Sequence, residues 1–262
     1  MDLKKLNHLG FAGVMLSSSM ALAGTMGPVA DTSIHPVITL FGGYASINAG
    51  NSSTFTGADT NIFTYSNSGN GKNTGFIGGF LGAERALPWM PYPGFVAQVG
   101  VEYSFFGSVG VSGTNKVGIE PQTSTTYTYN YAYQPQQVLV FARLFGTMLE
   151  KYHPYGEVGL GAAFNNLSNY STATIETGSI NLTPLYANSG DTQFSYSLGV
   201  GVDTQVTNNV SVGLGYRFSN FGSAYLGDGQ IVMNQYTFPV PFNLGSSQAY
   251  ANQLIARISY VA

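Results

Sequence analysis

Seven charged residues interrupt stretches of this chain that otherwise alternate apolar and small side chains: Glu84, Glu102, Arg143, Glu157, Asp203, Arg217 and Arg257. Paired carboxylates can share general-acid and general-base work, which is one route to hydrolysis. Here the acids have arginine neighbours, and a guanidinium beside a carboxylate keeps it ionised. That favours ion pairs over proton transfer. The other route is a nucleophile activated by histidine. Beyond residue 23 the only histidines are His35 and His153, and the chain has no cysteine. His35 precedes the first predicted strand and His153 lies in a predicted turn, so both map to one rim as interfacial polar residues. No His/Asp/Glu cluster has zinc-like spacing. The glycine-rich FIGGFLG (76–82) lacks the Lys and the strand-to-helix context of a phosphate loop. Its glycines let strands bend and pack closely. The expectation is no catalytic residue, no cofactor-binding residue, no metal ligand and no cofactor: a protein that is not an enzyme.

The elements that position the seven charges are strands. In GFVAQVGVEYSFFG (94–107), Phe95, Ala97, Val99, Val101, Tyr103 and Phe105 share one parity, while Val96, Gln98, Gly100, Glu102 and Ser104 share the other. A strand sends alternate side chains to opposite faces. The same two-faced pattern recurs at 36–48, 74–87, 131–148, 154–166, 192–207, 210–221 and 249–261. Each stretch is long enough to cross a bilayer as a tilted strand of about 9–11 residues. The predicted connections alternate. Short ones fall at 87–93, 149–154 and Asn208-Asn209, the last a pair able to adopt left-handed hairpin geometry. Long ones, rich in Ser, Thr, Asn, Gly and Tyr, fall near 49–73, 108–130, 167–191 and 222–248. Short turns at one end and long loops at the other are the pattern of an up-and-down transmembrane barrel.

The ends and composition agree. Residues 1–23 read as a cleaved secretory signal peptide: Lys4 and Lys5, a short apolar core Leu9–Leu16, and an A-x-A site ending at Ala23. Residues 24–35 form a periplasmic lead-in, and 36–262 the barrel. Charged residues are 8% of the chain, against about 25% in soluble domains. Aromatics are 14% and there are 34 glycines. With no basic patch, nucleic acid is excluded as a partner. The fold class expected is all-β, a transmembrane antiparallel barrel of eight strands, or ten if 49–73 and 222–248 add a hairpin.

On this map five of the seven charges, those in strands three and five to eight, face away from the apolar side. In strands two and four, Phe80, Phe141 and Phe145 share their face with Glu84 or Arg143. A lumen only wide enough to be filled by side chains then holds a salt-bridge network. Arg143 lies next to Glu102 and Glu157, Arg217 next to Asp203 and Arg257, and Arg257 within reach of Glu84. This network plugs the lumen, or gates a narrow pore. The run TSTTYTYNYAY (123–133) extends a hairpin above the membrane. Tyr127, Tyr129, Tyr131 and Tyr133 offer either a surface contact or part of an aromatic girdle.

With the signal peptide, the eight amphipathic strands, the long loops and the interior Glu/Arg pairs, the chain resembles the OmpA/OmpX/opacity-like small outer-membrane barrels. AGTMGPV (23–29) is similar to the start of some such mature proteins. Barrels of that kind end in an aromatic residue; here the end reads Tyr260-Val261-Ala262. The resemblance implies a Gram-negative outer membrane, insertion by the barrel-assembly machinery, contact with outer-membrane lipid and lipopolysaccharide, and an adhesin-like role through loops that meet host or surface ligands. The alternative is a small-solute porin.

Overall fold

The computed structural model describes residues 33–56, 61–68, 71–88, 95–120, 123–146, 152–176, 178, 182, 184–233, 236–240 and 242–262. The expected signal peptide, most of the expected lead-in, and much of the turns expected at 87–93 and 149–154 lie outside them. In chain order the strands are β1 (His35–Asn48), β2 (Ser53–Thr56), β3 (Ile62–Asn67), β4 (Lys72–Ala86), β5 (Val96–Phe106), β6 (Val109–Val117), β7 (Thr125–Phe145), β8 (Tyr152–Glu176), β9 (Leu185–Tyr186), β10 (Ser189–Gln205), β11 (Val210–Tyr225), β12 (Gly229–Met233), β13 (Tyr236–Val240) and β14 (Gly245–Val261).

Eight of these close a ring. The pairings run β1–β4, β4–β5, β5–β7, β7–β8, β8–β10, β10–β11, β11–β14 and β14–β1, all antiparallel. Closure leaves no unpaired edge, which is what a bilayer demands of strands. The parity read from the sequence holds around the ring. Ile38, Leu81, Val101, Val140, Leu160, Leu198, Leu214 and Leu254 are exposed on the outer face. The mixed parity of strands two and four resolves simply: Phe80, Phe141 and Phe145 point inward with the charges and are buried.

The turn between β10 and β11 differs from expectation. It spans Val206–Asn209, and among the described residues only Asn169 is a non-glycine with positive φ. Asn208 and Asn209 therefore do not form a left-handed two-residue hairpin. Thr207 Oγ1 accepts from the Val210 amide at 3.1 Å, and Asn209 Nδ2 donates to the Val261 carbonyl at 2.7 Å. The side chains hold a wider turn to the neighbouring strand.

The long connections are not loops in the plain sense. They fold into a head at the opposite end from that turn. β7 runs on past β5, pairing first with β5 and then, over Thr125–Tyr133, with β6. β3 pairs with β6 and β2 with β3, while β8 follows β7 to Glu176. Two β8 residues oppose one β7 residue between Asn130 and Ala132. That bulge, with Asn169 at φ 60°, adds twist where the ring gives way to the head. β9, β12 and β13 form a separate three-stranded sheet. The segments 49–73 and 222–248 thus contribute hairpins to the head, not a ninth and tenth barrel strand.

Candidate functional site

The lumen is filled in layers, beginning with charge. Arg143 donates from Nη2 to Glu102 Oε2 at 2.9 Å and from Nε to Glu157 Oε2 at 2.7 Å. Arg217 bonds both Glu102 oxygens and, through Nε, Glu157 Oε1 at 2.8 Å. Arg257 holds Asp203 through Nε at 2.9 Å and Nη2 at 2.7 Å, and its Nη1 lies 3.6 Å from Glu157. All six residues are buried, Arg217 at 1% exposure. Three guanidinium groups meet three carboxylates, so the layer is neutral. β5 and β11 stand four places apart in a ring of eight, so Arg217–Glu102 joins opposite walls.

Sequence reasoning placed Arg217 beside Asp203 and Arg257. Instead Arg217 crosses the lumen and Arg257 takes Asp203. Glu84 stands outside the network. It is half-buried, accepts a hydrogen bond from Gln98 Nε2 at 2.9 Å, and makes no ion pair with Arg257. Together with Gln98, Phe145, His153, Asp203 and Ser211 it lines a cavity of about 200 Å³ at the turn end. His35 sits at the same end, its Nδ1 3.2 Å from the Ala262 carbonyl oxygen.

Two glycines make the network possible, and sequence reasoning missed them. Asp203 and Arg257 lie on β10 and β14, with Gly213 of β11 between them in register. A Cβ at Gly213 would fall on the Asp203 carboxylate. Gly199 lies likewise between Glu157 and Arg217, and a Cβ there would meet Glu157 Oε1. Each ion pair skips a strand by passing over a glycine. The readable signal was an inward-parity glycine flanked in register by opposite charges, but register is not visible in one sequence.

Aromatic rings brace the charges. The Arg143 guanidinium lies over Phe80 and Phe141, Arg217 over Phe41 and Phe141, and Arg257 over Tyr155 at 3.7 Å. Such contacts are worth up to about 2 kcal/mol when desolvated. The Phe80 ring fills the space over Gly82 and Gly100, and Phe141 that over Gly159.

Above the charges, Gln137 Nε2 donates to Ser195 Oγ, Ser197 and Ser219 share a bond of 2.6 Å, and Gln253 Nε2 donates to Ser219 Oγ at 2.7 Å. Higher still, Tyr133 donates to Asn165 Oδ1, and Asn165 Nδ2 donates to the carbonyls of Phe221 and Ser223, each at 2.8 Å. Phe76 stacks on Phe106, and Phe221 meets Phe106 edge-on. Tyr127, Tyr129, Tyr131 and Tyr133 are at most 2% exposed. The expected Tyr surface is therefore the inner core of the head, because the odd-numbered face of β7 continues inward past the bilayer.

A closed antiparallel ring with an apolar exterior and an ion-paired interior defines a transmembrane β-barrel. The sequence matches the outer membrane protein beta-barrel domain family over residues 9–244, and the chain belongs to that family. Membership puts it in the outer membrane of a Gram-negative cell. Among curated proteins none matches the sequence. Among solved structures the chain is similar to Neisserial surface protein A, at 13% identity over 85% of this chain and 96% of that one, with a TM-score of 0.37. It is similar to OprG of Pseudomonas aeruginosa at 9% identity, 86% and 95% coverage and a TM-score of 0.38. It is similar to the outer membrane protease OmpT of Escherichia coli at 12% identity, 91% and 99% coverage and a TM-score of 0.41.

Proposed function

We propose that this chain is a non-catalytic outer-membrane barrel with a closed lumen, acting through contacts made by its head outside the cell. One observation carries the reading: the buried Arg217–Glu102 bridge joins opposite walls of the ring. Opening a solute path at that height means breaking a buried ion pair, which costs about 3–5 kcal/mol. Two more polar or aromatic layers lie above it. The absence of catalysis rests on the same geometry. Glu102, Glu157 and Asp203 are each clamped by arginine. His35 and His153 stand on β1 and β8, strands that are not neighbours in the ring. Export with cleavage after Ala23, insertion by the barrel-assembly machinery and contact with lipopolysaccharide belong to the same proposal.

The test is planar-bilayer conductance of the refolded chain 24–262. The expected result is silence or rare, small openings. Steady, salt-dependent channels would overturn the closed lumen in favour of a small-solute porin. Whole-cell attachment with the 49–71 or 226–244 segment replaced by a short turn tests the role of the head. Attachment unchanged by both replacements would remove the surface-contact reading.

A further inference from the structure

The cavity of about 200 Å³ at the turn end of the lumen is not used by the closed-lumen reading. It abuts the charge layer, because Asp203 lines the cavity and is also held by Arg257. Gln205, Asn208 and Asn209, all exposed, form its rim at the β10–β11 turn.

The lining holds one charge that the barrel does not compensate. Glu84 enters from β4, half-buried, and makes no ion pair among the described residues. Its one hydrogen bond comes from Gln98 Nε2 at 2.9 Å. No lysine or arginine is among the described lining residues, and the Arg257 guanidinium next door is taken by Asp203. The one other ionisable group of the lining is the imidazole of His153, beside Asp203 in register. With that imidazole neutral, the cavity carries one negative charge. A carboxylate drawn partly out of water favours a cation beside it.

The uncharged groups add acceptors. Gln98 Nε2 donates to Glu84, Gln205 Nε2 to the Asn208 carbonyl at 3.2 Å, and Asn209 Nδ2 to the Val261 carbonyl at 2.7 Å. Each carboxamide thus uses an amide hydrogen within the protein, and none of the three side-chain oxygens accepts from a described residue. Gln98 matters most, since it lines the cavity from within the wall at 5% exposure. The rest of the lining is apolar: Val96, Phe145, Val210 and Val261.

These features select the ligand. Acceptors and a negative charge call for a cation that carries N–H donors. Apolar walls call for a hydrocarbon body. The volume exceeds what a bare ion fills and lies below the roughly 300 Å³ at which drug-sized sites begin. A metal ion fits less well: one of the two carboxylates is already held by a guanidinium, and no group of three His, Cys, Asp or Glu is placed to hold a metal among the described residues.

We propose that this cavity binds a small alkylammonium ion entering from the turn end, its ammonium group on Glu84 and Gln98 Oε1 and its carbon chain against Phe145 and Val261. The proposal goes beyond the closed lumen, and takes from that reading only that the charge layer makes the cavity a pocket and not a passage.

The experiment is an NMR titration of the full mature chain in nanodiscs of zwitterionic lipid, following the Gln98 side-chain amide and the backbone amides of 209–211. The probe is butylammonium. The controls are 1-butanol, with the same body and no charge, tetramethylammonium, with the charge and no N–H donor, and magnesium. The expected result is saturable shifts with butylammonium and binding about tenfold weaker, or about 1.4 kcal/mol, for both organic controls. Glu84→Gln is expected to weaken butylammonium by at least that factor, while Arg85→Gln, exposed one residue further on, leaves it unchanged. Butanol or tetramethylammonium binding as tightly as butylammonium would overturn the proposal, because charge and donors would not be what the cavity selects. Displacement of butylammonium by magnesium would show an inorganic cation site and overturn it too. So would shifts that never saturate, or binding unchanged in Glu84→Gln. The probe series needs no variant, so it decides even where Glu84→Gln refolds poorly. The titration reads binding without ion flow, and its failure leaves the conductance and attachment results standing.

Discussion

Replacing Arg217 with methionine tests the closed lumen most directly. The substitution keeps much of the apolar stem and removes one charge from a balanced set of three acids and three arginines. Glu102 then keeps Arg143 alone, and Arg143 must serve Glu102 and Glu157 together. Breaking a buried pair by removing one partner costs about 3–5 kcal/mol, because it leaves a charge uncompensated in low dielectric. A solvated pair is worth about 0–1 kcal/mol. The two cases are thus separated by more than the error of a urea-unfolding titration in lipid vesicles followed by tyrosine fluorescence. The expected loss is in the buried range, with earlier heat-induced mobility change on a gel. The companion variant Arg217→Met/Glu102→Gln removes one charge of each sign and restores the balance. It is expected to recover more than half of the lost stability, a coupling that a double-mutant cycle reads directly. A loss under about 1 kcal/mol for the single variant would mean that water reaches the pair. The reasoning from burial to a closed lumen would then fail.

Gly213→Ala is expected to displace the Asp203 carboxylate, which occupies the space its Cβ needs, at about 1–3 kcal/mol; Ala at the outward Gly79, where a Cβ has room, is the control in the same titration. Asn165→Leu strips the carbonyls of Phe221 and Ser223 of a shared donor, at about 1–3 kcal/mol for each left unpartnered, and faster amide exchange near residues 221–223 reports it. The head should loosen in alkali before the barrel does. Burial pushes the phenols of Tyr129 and Tyr186 up to about 12, so the folded head holds protons that the unfolded chain releases above about pH 10. Their contribution is complete below pH 10 and falls as pH rises toward 12, by about 1.4 kcal/mol per pH unit for each phenol. Near-UV circular dichroism should lose the head signal in that range while the barrel's far-UV signal persists; loss of both together would count against an independent head core.

The ring was legible in the sequence because a barrel strand carries its instructions locally. Two-residue alternation in 249–261 fixes which side of β14 meets lipid, and no distant residue can reverse it without exposing Arg257 to lipid. The inward position of Glu102, Glu157, Asp203, Arg217 and Arg257 followed from the same parity, while aromatic residues sharing the inner face obscured it for Glu84 and Arg143. The partners of the charges did not follow. Arg217 reaches Glu157 over Gly199 and Arg257 reaches Asp203 over Gly213, and which glycine lies beside which charge depends on stagger. Stagger is set jointly by all eight strands as the ring closes.

The head was misread for a related reason. Low complexity and abundant Ser, Thr and Asn pointed to loops, yet the inward parity of β7 runs unbroken from Phe145 through Tyr133 to Tyr127. Inside the bilayer that face packs against a lumen filled by the opposite wall. Past the bilayer the ring opens, and the same face requires new cover. Phe55, Phe63, Tyr65, Tyr186 and Phe242 supply it from three different connections. Tyrosine suits this place better than phenylalanine would, since the segment crosses the aqueous boundary during assembly and its hydroxyls limit apolar exposure until the cover forms. Once the cover forms, Tyr131 donates to the Ala49 carbonyl and Tyr133 to Asn165 Oδ1, so hydroxyls that faced water end on partners inside the head.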